Sequence, residues 1–304
     1  MVHLTDGLSF LVGRSLLVRS LWYSFARRHE AFYFPSVSVA LTVLGSGSGG
    51  NCYYLEAGET RLLVDAGFSG RQIRNRLESI GRDAESLTGI LLTHEHSDHS
   101  KGLKVIAAKL GIPVYCNRLT LEAIESQFDV KFNAKVFQTG ASFDLGNVTV
   151  DSFSIPHDAY DPVGFVVHTG GGDVGFLTDL GHATRLVIDR VKGVHALVLE
   201  TNYDTKLLQE DTKRPWSIKQ RILSRHGHLS NEAAAGALED LISEKLEHLY
   251  LAHLSRDCNS PELASQVISE RLRSIGVSHV GVVATEQDQP SPTQVIEPRS
   301  LTYS

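Results

Sequence analysis

Cysteine is scarce in this 304-residue chain: Cys52, Cys116 and Cys258 are odd in number, far apart and never spaced as C-x-x-C. That scarcity argues against a disulfide framework and a thiolate zinc site, and a reducing, cytoplasmic setting fits best. Excess positive charge is also missing. With 29 Lys and Arg against 35 Asp and Glu the net charge is −6, so there is no global basic surface to drive non-specific nucleic-acid binding, and any phosphate contact has to be local. The first forty positions hold no uninterrupted apolar run of the roughly 18 residues a membrane span needs, because Arg14, Arg19, Arg27 and Arg28 interrupt them. Acidic residues are absent between Asp6 and Glu30. Residues 1–39 therefore read as an appended extension in preference to a targeting segment. Residues 285–304 are polar, contain three prolines and show no period, which predicts a loose C-terminal tail.

What is present between these ends is an ordinary globular composition with ample material for a core. Leu41–Leu44, Cys52–Leu55 and Arg61–Asp65 read as strands, the last two joined by a Gly58-Glu59 turn. Gly45, Gly47 and Gly50 satisfy G-x-G-x-x-G, but a dinucleotide fingerprint opens a helix after its first strand, and here a second strand follows. The dinucleotide reading is rejected. A glycine-serine loop remains, either a tight turn or an anion site lined by backbone N–H groups and Ser46, Ser48 and Asn51. A helix over 69–80, another from Ser100 to Leu110, a strand at 112–116 and a helix from about Leu119 to Gln127 make a βα alternation. Period-two strands return at 148–154, 163–167 and 174–177, and helices from Ala183, Ser230 or Asn231, and Pro261 then alternate with strands at 195–199, 249–252 and 280–284. Two β-rich stretches, each followed by βα units, predict an α/β (α+β) fold: a four-layer αββα sandwich in a single domain over 40–284.

The chemistry-bearing stretch is Thr93-His94-Glu95-His96-Ser97-Asp98-His99, directly after the apolar run Gly89–Leu92. His94, His96, Asp98 and His99 are more imidazole and carboxylate donors than one tetrahedral ion needs, so two divalent ions are expected. His157, Asp179 and His253 stand at three further strand ends, the same placement as His94.

This order of residues resembles the metallo-β-lactamase fold and, more closely, the YycJ or WalJ group of phosphodiesterases and exonucleases within it. The likeness rests on Gly45–Cys52, Leu63–Gly67, the His94–His99 motif, Pro156–Ala159, Thr178-Asp179, the segment from Pro215-Trp216 to Gly227–Asn231, and Leu251–Ser255, and it runs from about Ala40 to Ala284. It implies that His94, His96 and His157 hold one metal ion, zinc or manganese, that Asp98, His99 and His253 hold a second, and that Asp179 bridges them. Asp65 is expected to support ligands without being one. With the resemblance, Asp98 and His228 are the catalytic candidates, His228 as proton donor to the leaving alkoxide or as a phosphate clamp; the alternative for His228 is a helix-entry residue.

Two adjacent cations generate hydroxide near neutral pH and polarise phosphoryl oxygens. Substrate class rests on the glycine-serine loop, on the basic segment carrying Lys219 and Arg221, and on Trp216 as a base-stacking surface. These favour a nuclease acting on DNA or RNA, with 5′-to-3′ exonuclease action implied by the resemblance. A small-molecule hydrolase of cyclic phosphodiesters, thioesters or lactones stays open, as does a catalytically silent regulatory protein.

Overall fold

The computed structural model describes residues 38–297. The first sheet is started by β1 (Val39–Gly45), β2 (Cys52–Ala57) and β3 (Thr60–Val64), an antiparallel meander whose β2–β3 turn places Gly58 at φ +60°. After α1 (Gly70–Ser79) the pairing turns parallel. β4 (Gly89–Leu91), α2 (Ser97–Ser100), β5 (Val114–Asn117), α3 (Arg118–Phe128) and β6 (Ala134–Phe137) follow, with β3 to β6 side by side. Parallel neighbours require crossover connections, and the helices supply them on one face.

The second sheet repeats the plan. β7 (Ser142–Leu145), β8 (Val148–Ser154), β9 (Val163–His168) and β10 (Val174–Leu177) form an antiparallel meander. Then come α4 (Arg185–Val191), β11 (Ala196–Glu200), α5 (Thr205–Glu210), α6 (Trp216–Ile222), α7 (Asn231–Leu241), β12 (His248–Ala252), α8 (Pro261–Ser274) and β13 (Gly281–Ala284), with β10 to β13 parallel. Both sheets have seven strands, the first completed by β14 (Gln294–Ile296) beside β1.

Three apolar layers hold the sandwich together. Leu41, Tyr53, Leu55, Phe165, Phe176 and Tyr250 meet between the sheets. Leu63, Ile73, Leu77, Ile106 and Ile124 pack the first sheet against its helices, and Val187, Leu199, Leu238, Leu251 and Ile268 do so for the second. This is the four-layer αββα arrangement read from the sequence. All three cysteines are buried free thiols. Among the described residues no helix is long and apolar enough to cross a membrane.

The structure corrects several expectations. The helix anticipated from Ser100 to Leu110 is broken into α2 and a π-helical turn over Lys104–Ala108. Gly102 is the cause: its N–H donates to the Ala66 carbonyl at 2.7 Å, and a Cβ there would lie 2.5 Å from the Phe68 carbonyl oxygen. β6 and β7, with their half-exposed faces, carry too few apolar residues to announce themselves. The loose tail over 285–304 is also corrected, because residues 285–297 pass from the second sheet to the first. Thr285 donates to Leu251 O, Ser291 N–H donates to Val43 O, and β14 pairs in register with β1. The expected extension 1–39, apart from its last two residues, and positions 298–304 lie outside the described residues.

Candidate metal centre

β8 and β10 are both antiparallel to β9, so β8, β10, β11 and β12 all end at one rim of the second sheet. Those ends deliver His157, Asp179, Glu200 and His253, while β3 and β4 deliver Asp65 and the His94–His99 stretch from the first sheet. Backbone conformation at these ends is unusual. Asp65, Asp179 and His253 are three of the four non-glycine residues among those described with φ between +49° and +60°. Such conformations cost about 1–3 kcal/mol each and gather where a fold aims side chains. At His253 the N–H is held at 2.8 Å by Ser46 Oγ, from the glycine-serine loop.

The donors fall into two neighbouring sets. His94, His96 and His157 form the first, with His157 Nε2 3.3 Å from His96 Nδ1 and the His94 ring 5.0 Å from that of His157. Asp98, His99, Asp179 and His253 form the second: His99 Nε2 lies 2.9 Å from Asp179 Oδ2, and His253 Nε2 lies 3.4 Å from Asp98 Oδ2. Asp179 Oδ1 is also 3.6 Å from His157 Nε2, so this carboxylate faces both sets.

Nδ1 hydrogen bonds fix most of these rings. His99 Nδ1 donates to Asp65 Oδ2 at 2.7 Å, His253 Nδ1 to Glu200 Oε1 at 2.8 Å, and His157 Nδ1 to the Gly227 carbonyl at 3.1 Å. Their Nε2 atoms are left pointing inward. His94 Nε2 and His253 Nε2 are buried without a hydrogen-bond partner. Buried, unpaired acceptors are costly unless something positive sits among them. Imidazole and carboxylate donors oriented by outer hydrogen bonds are the chemistry of a divalent metal site, and these residues fit one.

The two sets differ in charge. Burial and the neighbouring imidazoles hold His94 well below its usual range, and burial likewise lowers His157. For His253, burial opposes protonation, yet Asp179, Asp98 and Glu200 push it up to about 10. His99 is raised against burial by Asp179, Asp65 and Asp98. Burial would raise Asp98, but His99 and His253 hold it far below the usual carboxylate range.

Glu200 escaped the sequence reading. It is fully buried at the end of β11 and accepts four N–H groups: Leu180 at 2.6 Å and Leu229 at 3.0 Å on Oε2, His228 and His253 on Oε1. Although it lies within reach of a third donor group with His228, those four bonds make it a brace. Its signal was a lone acid ending the apolar run Ala196–Leu199, the same placement as Asp179. His228 is brought between the two sets, its ring 5.3 Å from His157 and 5.0 Å from His253.

The expected substrate contacts fare unevenly. Ser46 and Asn51 are corrected: both are fully buried, Ser46 donates to Asn51 Oδ1 at 2.8 Å, and Asn51 reaches inward to His99. They brace the metal centre, and Ser48 is the exposed residue of the three. Lys219 is corrected as well, being 7% exposed with its ammonium donating to Gln209 O at 2.9 Å. Arg221 is exposed but grips Asp158 with both its Nε and Nη2, and Trp216 opens α6 at 62% exposure. Gly67 is forced by packing, since a Cβ would overlap the Asp98 carbonyl oxygen at 1.6 Å.

Comparison with known proteins follows the same lines. The beta-lactamase superfamily domain matches residues 60–254. Exodeoxyribonuclease YycJ of Bacillus anthracis is 41% identical over 240 residues, covering 77% of this chain and 89% of that protein. Exodeoxyribonuclease WalJ of Streptococcus pneumoniae serotype 2 is 37% identical over 235 residues, covering 76% and 87%. The crystal structure of the metallo-beta-lactamase fold protein YhfI from Bacillus subtilis superposes with a TM-score of 0.62, covering 85% of this chain and 100% of that one; at 17% identity it speaks to the fold alone. With its sandwich, its strand-end donors and these relatives, the chain belongs to the beta-lactamase superfamily of metal-dependent hydrolases, in the family of YycJ and WalJ.

Proposed function

We propose that the chain is a dinuclear phosphodiester hydrolase working as an exonuclease on DNA, with His94, His96 and His157 holding one ion, Asp98, His99 and His253 the other, and Asp179 shared. The observation that carries this reading is the pair of adjacent donor sets meeting at Asp179. Relatives named exodeoxyribonucleases support the substrate. Zinc and manganese both suit the donors.

When bound, such ions polarise a phosphoryl oxygen and acidify water. The remaining work falls to the chain. Asp98 has the most solvent-facing of the carboxylates in its set, with a side chain 24% exposed, and meets incoming reactants. His228 gives its Nδ1 proton to a hydrogen bond with Glu200 at 2.7 Å, which fixes the ring. Its Nε2–H is then the proton for the leaving alkoxide, the role of a general acid.

A small phosphodiester or ester is the second reading, favoured by the pairing of the basic segment: Lys219 is buried, Arg221 grips Asp158, and Lys213 and Arg214 grip Asp257. Metal-loaded protein assayed on end-labelled single- and double-stranded DNA, on RNA, and on bis(p-nitrophenyl) phosphate separates the two. Stepwise release of nucleotides from DNA is expected. Turnover of the small ester with every polynucleotide left intact overturns the nuclease reading.

A further inference from the structure

Beside His96 opens a cavity of about 560 Å³ lined also by Glu95, Gln127, Asp158, Ala159 and Tyr160. A second cavity, about 480 Å³, continues from it across α3 and shares Glu95, Gln127 and Tyr160. Leu119, Ala123 and Gln127 line that continuation at four-residue spacing, one face of the helix. Tyr160 stands where the two cavities meet, with its side chain left to solvent: the residue is 72% exposed, the highest value among the described large apolar side chains. Its backbone is nevertheless fixed, since its N–H donates to Glu95 Oε1 at 3.0 Å, and Glu95 lies between two of the metal-ligand candidates.

The charge of this trough is informative. No lysine or arginine lines either cavity, while Glu95, Glu122 and Asp158 do, the last two ion-paired by Arg118 and Arg221 from outside the lining. Such a lining offers a phosphate backbone no cation of its own. A neutral heterocycle needs none: its face stacks on a tyrosine ring, and its exocyclic amino group finds carboxylate and amide acceptors. From these observations, and resting on the nuclease reading, we propose that Tyr160 is the stacking platform for the base of a nucleotide flanking the scissile phosphodiester, seated in the trough between His96 and α3. The phosphates then run on the side of the metal centre away from this trough.

The test is a cycle on the metal-loaded full chain. Wild type, Tyr160→Phe and Tyr160→Ala are assayed on a DNA oligonucleotide and on versions with an abasic residue placed at each of the terminal positions. Tyr160→Ala is expected to lower kcat/KM on the intact oligonucleotide about tenfold to a hundredfold, and Tyr160→Phe to keep it. Wild type is expected to lose the same factor when the flanking nucleotide is abasic, with no further loss in Tyr160→Ala. An equal loss from Tyr160→Ala on intact and abasic substrates, or a loss shared by Tyr160→Phe, overturns the stacking role and leaves the nuclease reading standing. If wild type cleaves no oligonucleotide at all, the nuclease reading fails and the stacking role goes with it.

Discussion

His94, His96 and His157 meet as three imidazoles, two of them held below their usual range by burial. A few ångströms away His99 and His253 stand among Asp65, Asp98, Asp179 and Glu200 and are driven the other way. Burial thus favours the neutral imidazole at His94 and His157, and the carboxylates favour the protonated one at His99 and His253. The two halves are adjacent but differ in their carboxylates, and Asp179 is the residue that faces both. Metal binding to ligands that must first deprotonate depends on pH, whereas binding to neutral imidazoles at neutral pH does not.

Removing the shared residue breaks the comparison most directly. Asp179→Ala is expected to abolish hydrolysis of bis(p-nitrophenyl) phosphate, by about three orders of magnitude or more if it costs at least what losing one electrostatic stabiliser costs, and to lower bound metal in both halves. Asp98→Ala is expected to match it in activity while sparing the metal held by the three imidazoles. Wild-type turnover in either variant, with metal content measured in the same preparation, overturns the ligand assignment.

Next in size are the braces, which exist as carboxylates only on the charged side. Glu200→Gln and Asp65→Asn keep shape but weaken the hold on His253 with His228, and on His99. A loss of about 10- to 100-fold in activity or in affinity for the second ion is expected for each. Glu200→Gln carries the larger effect because two rings depend on it. If metal titration finds the first, imidazole-bound ion weakened instead, the division into halves is wrong.

Much of this centre was legible because the candidate ligands sit where apolar strands stop, and that junction is written in the sequence: Ile90-Leu91-Leu92 before His94, Phe176-Leu177 before Asp179, Leu249–Ala252 before His253. Glu200 ends a strand in the same way and was passed over because a single acid after Leu199 is common at turns. Ser46, Asn51 and Lys219 misled for a different reason. Their residue types suit a phosphate, but whether a side chain points outward depends on what packs over it, here His253 across 207 positions for Ser46 and the Gln209 carbonyl for Lys219. The passage of residues 285–297 to β1 was hidden by prolines that lie between pairings and leave the β14 register intact.

The charge contrast is sharpened by counting protons. At pH 7 the metal-free protein is expected to release about one to two protons as the carboxylate-rich half fills, and fewer as the half with His94 and His157 fills. Calorimetric titration of metal in buffers of differing ionisation enthalpy reads this directly. Filling of both halves without proton release contradicts the raised His99 and His253.

The smallest effect tests the same rule where no ion intervenes. His168, at the end of β9, lies 3.3 Å from Asp151 Oδ2 and 3.2 Å from Asp173 Oδ1, and hydrogen bonds to these two carboxylates push it up to about 9. A histidine raised in the folded state stabilises the fold in full below its unfolded value near 6.5 and loses that contribution as pH climbs through about 9. Because its side chain is 38% exposed, solvent screening limits the contribution to at most about 1 kcal/mol. Urea unfolding of wild type and His168→Gln at pH 6 and pH 9.5 is expected to give a stability difference at the lower pH that shrinks at the higher one. A difference that grows with pH reverses the sign of the argument, and with it the claim that flanking carboxylates, rather than burial, decide which histidines of this protein carry charge.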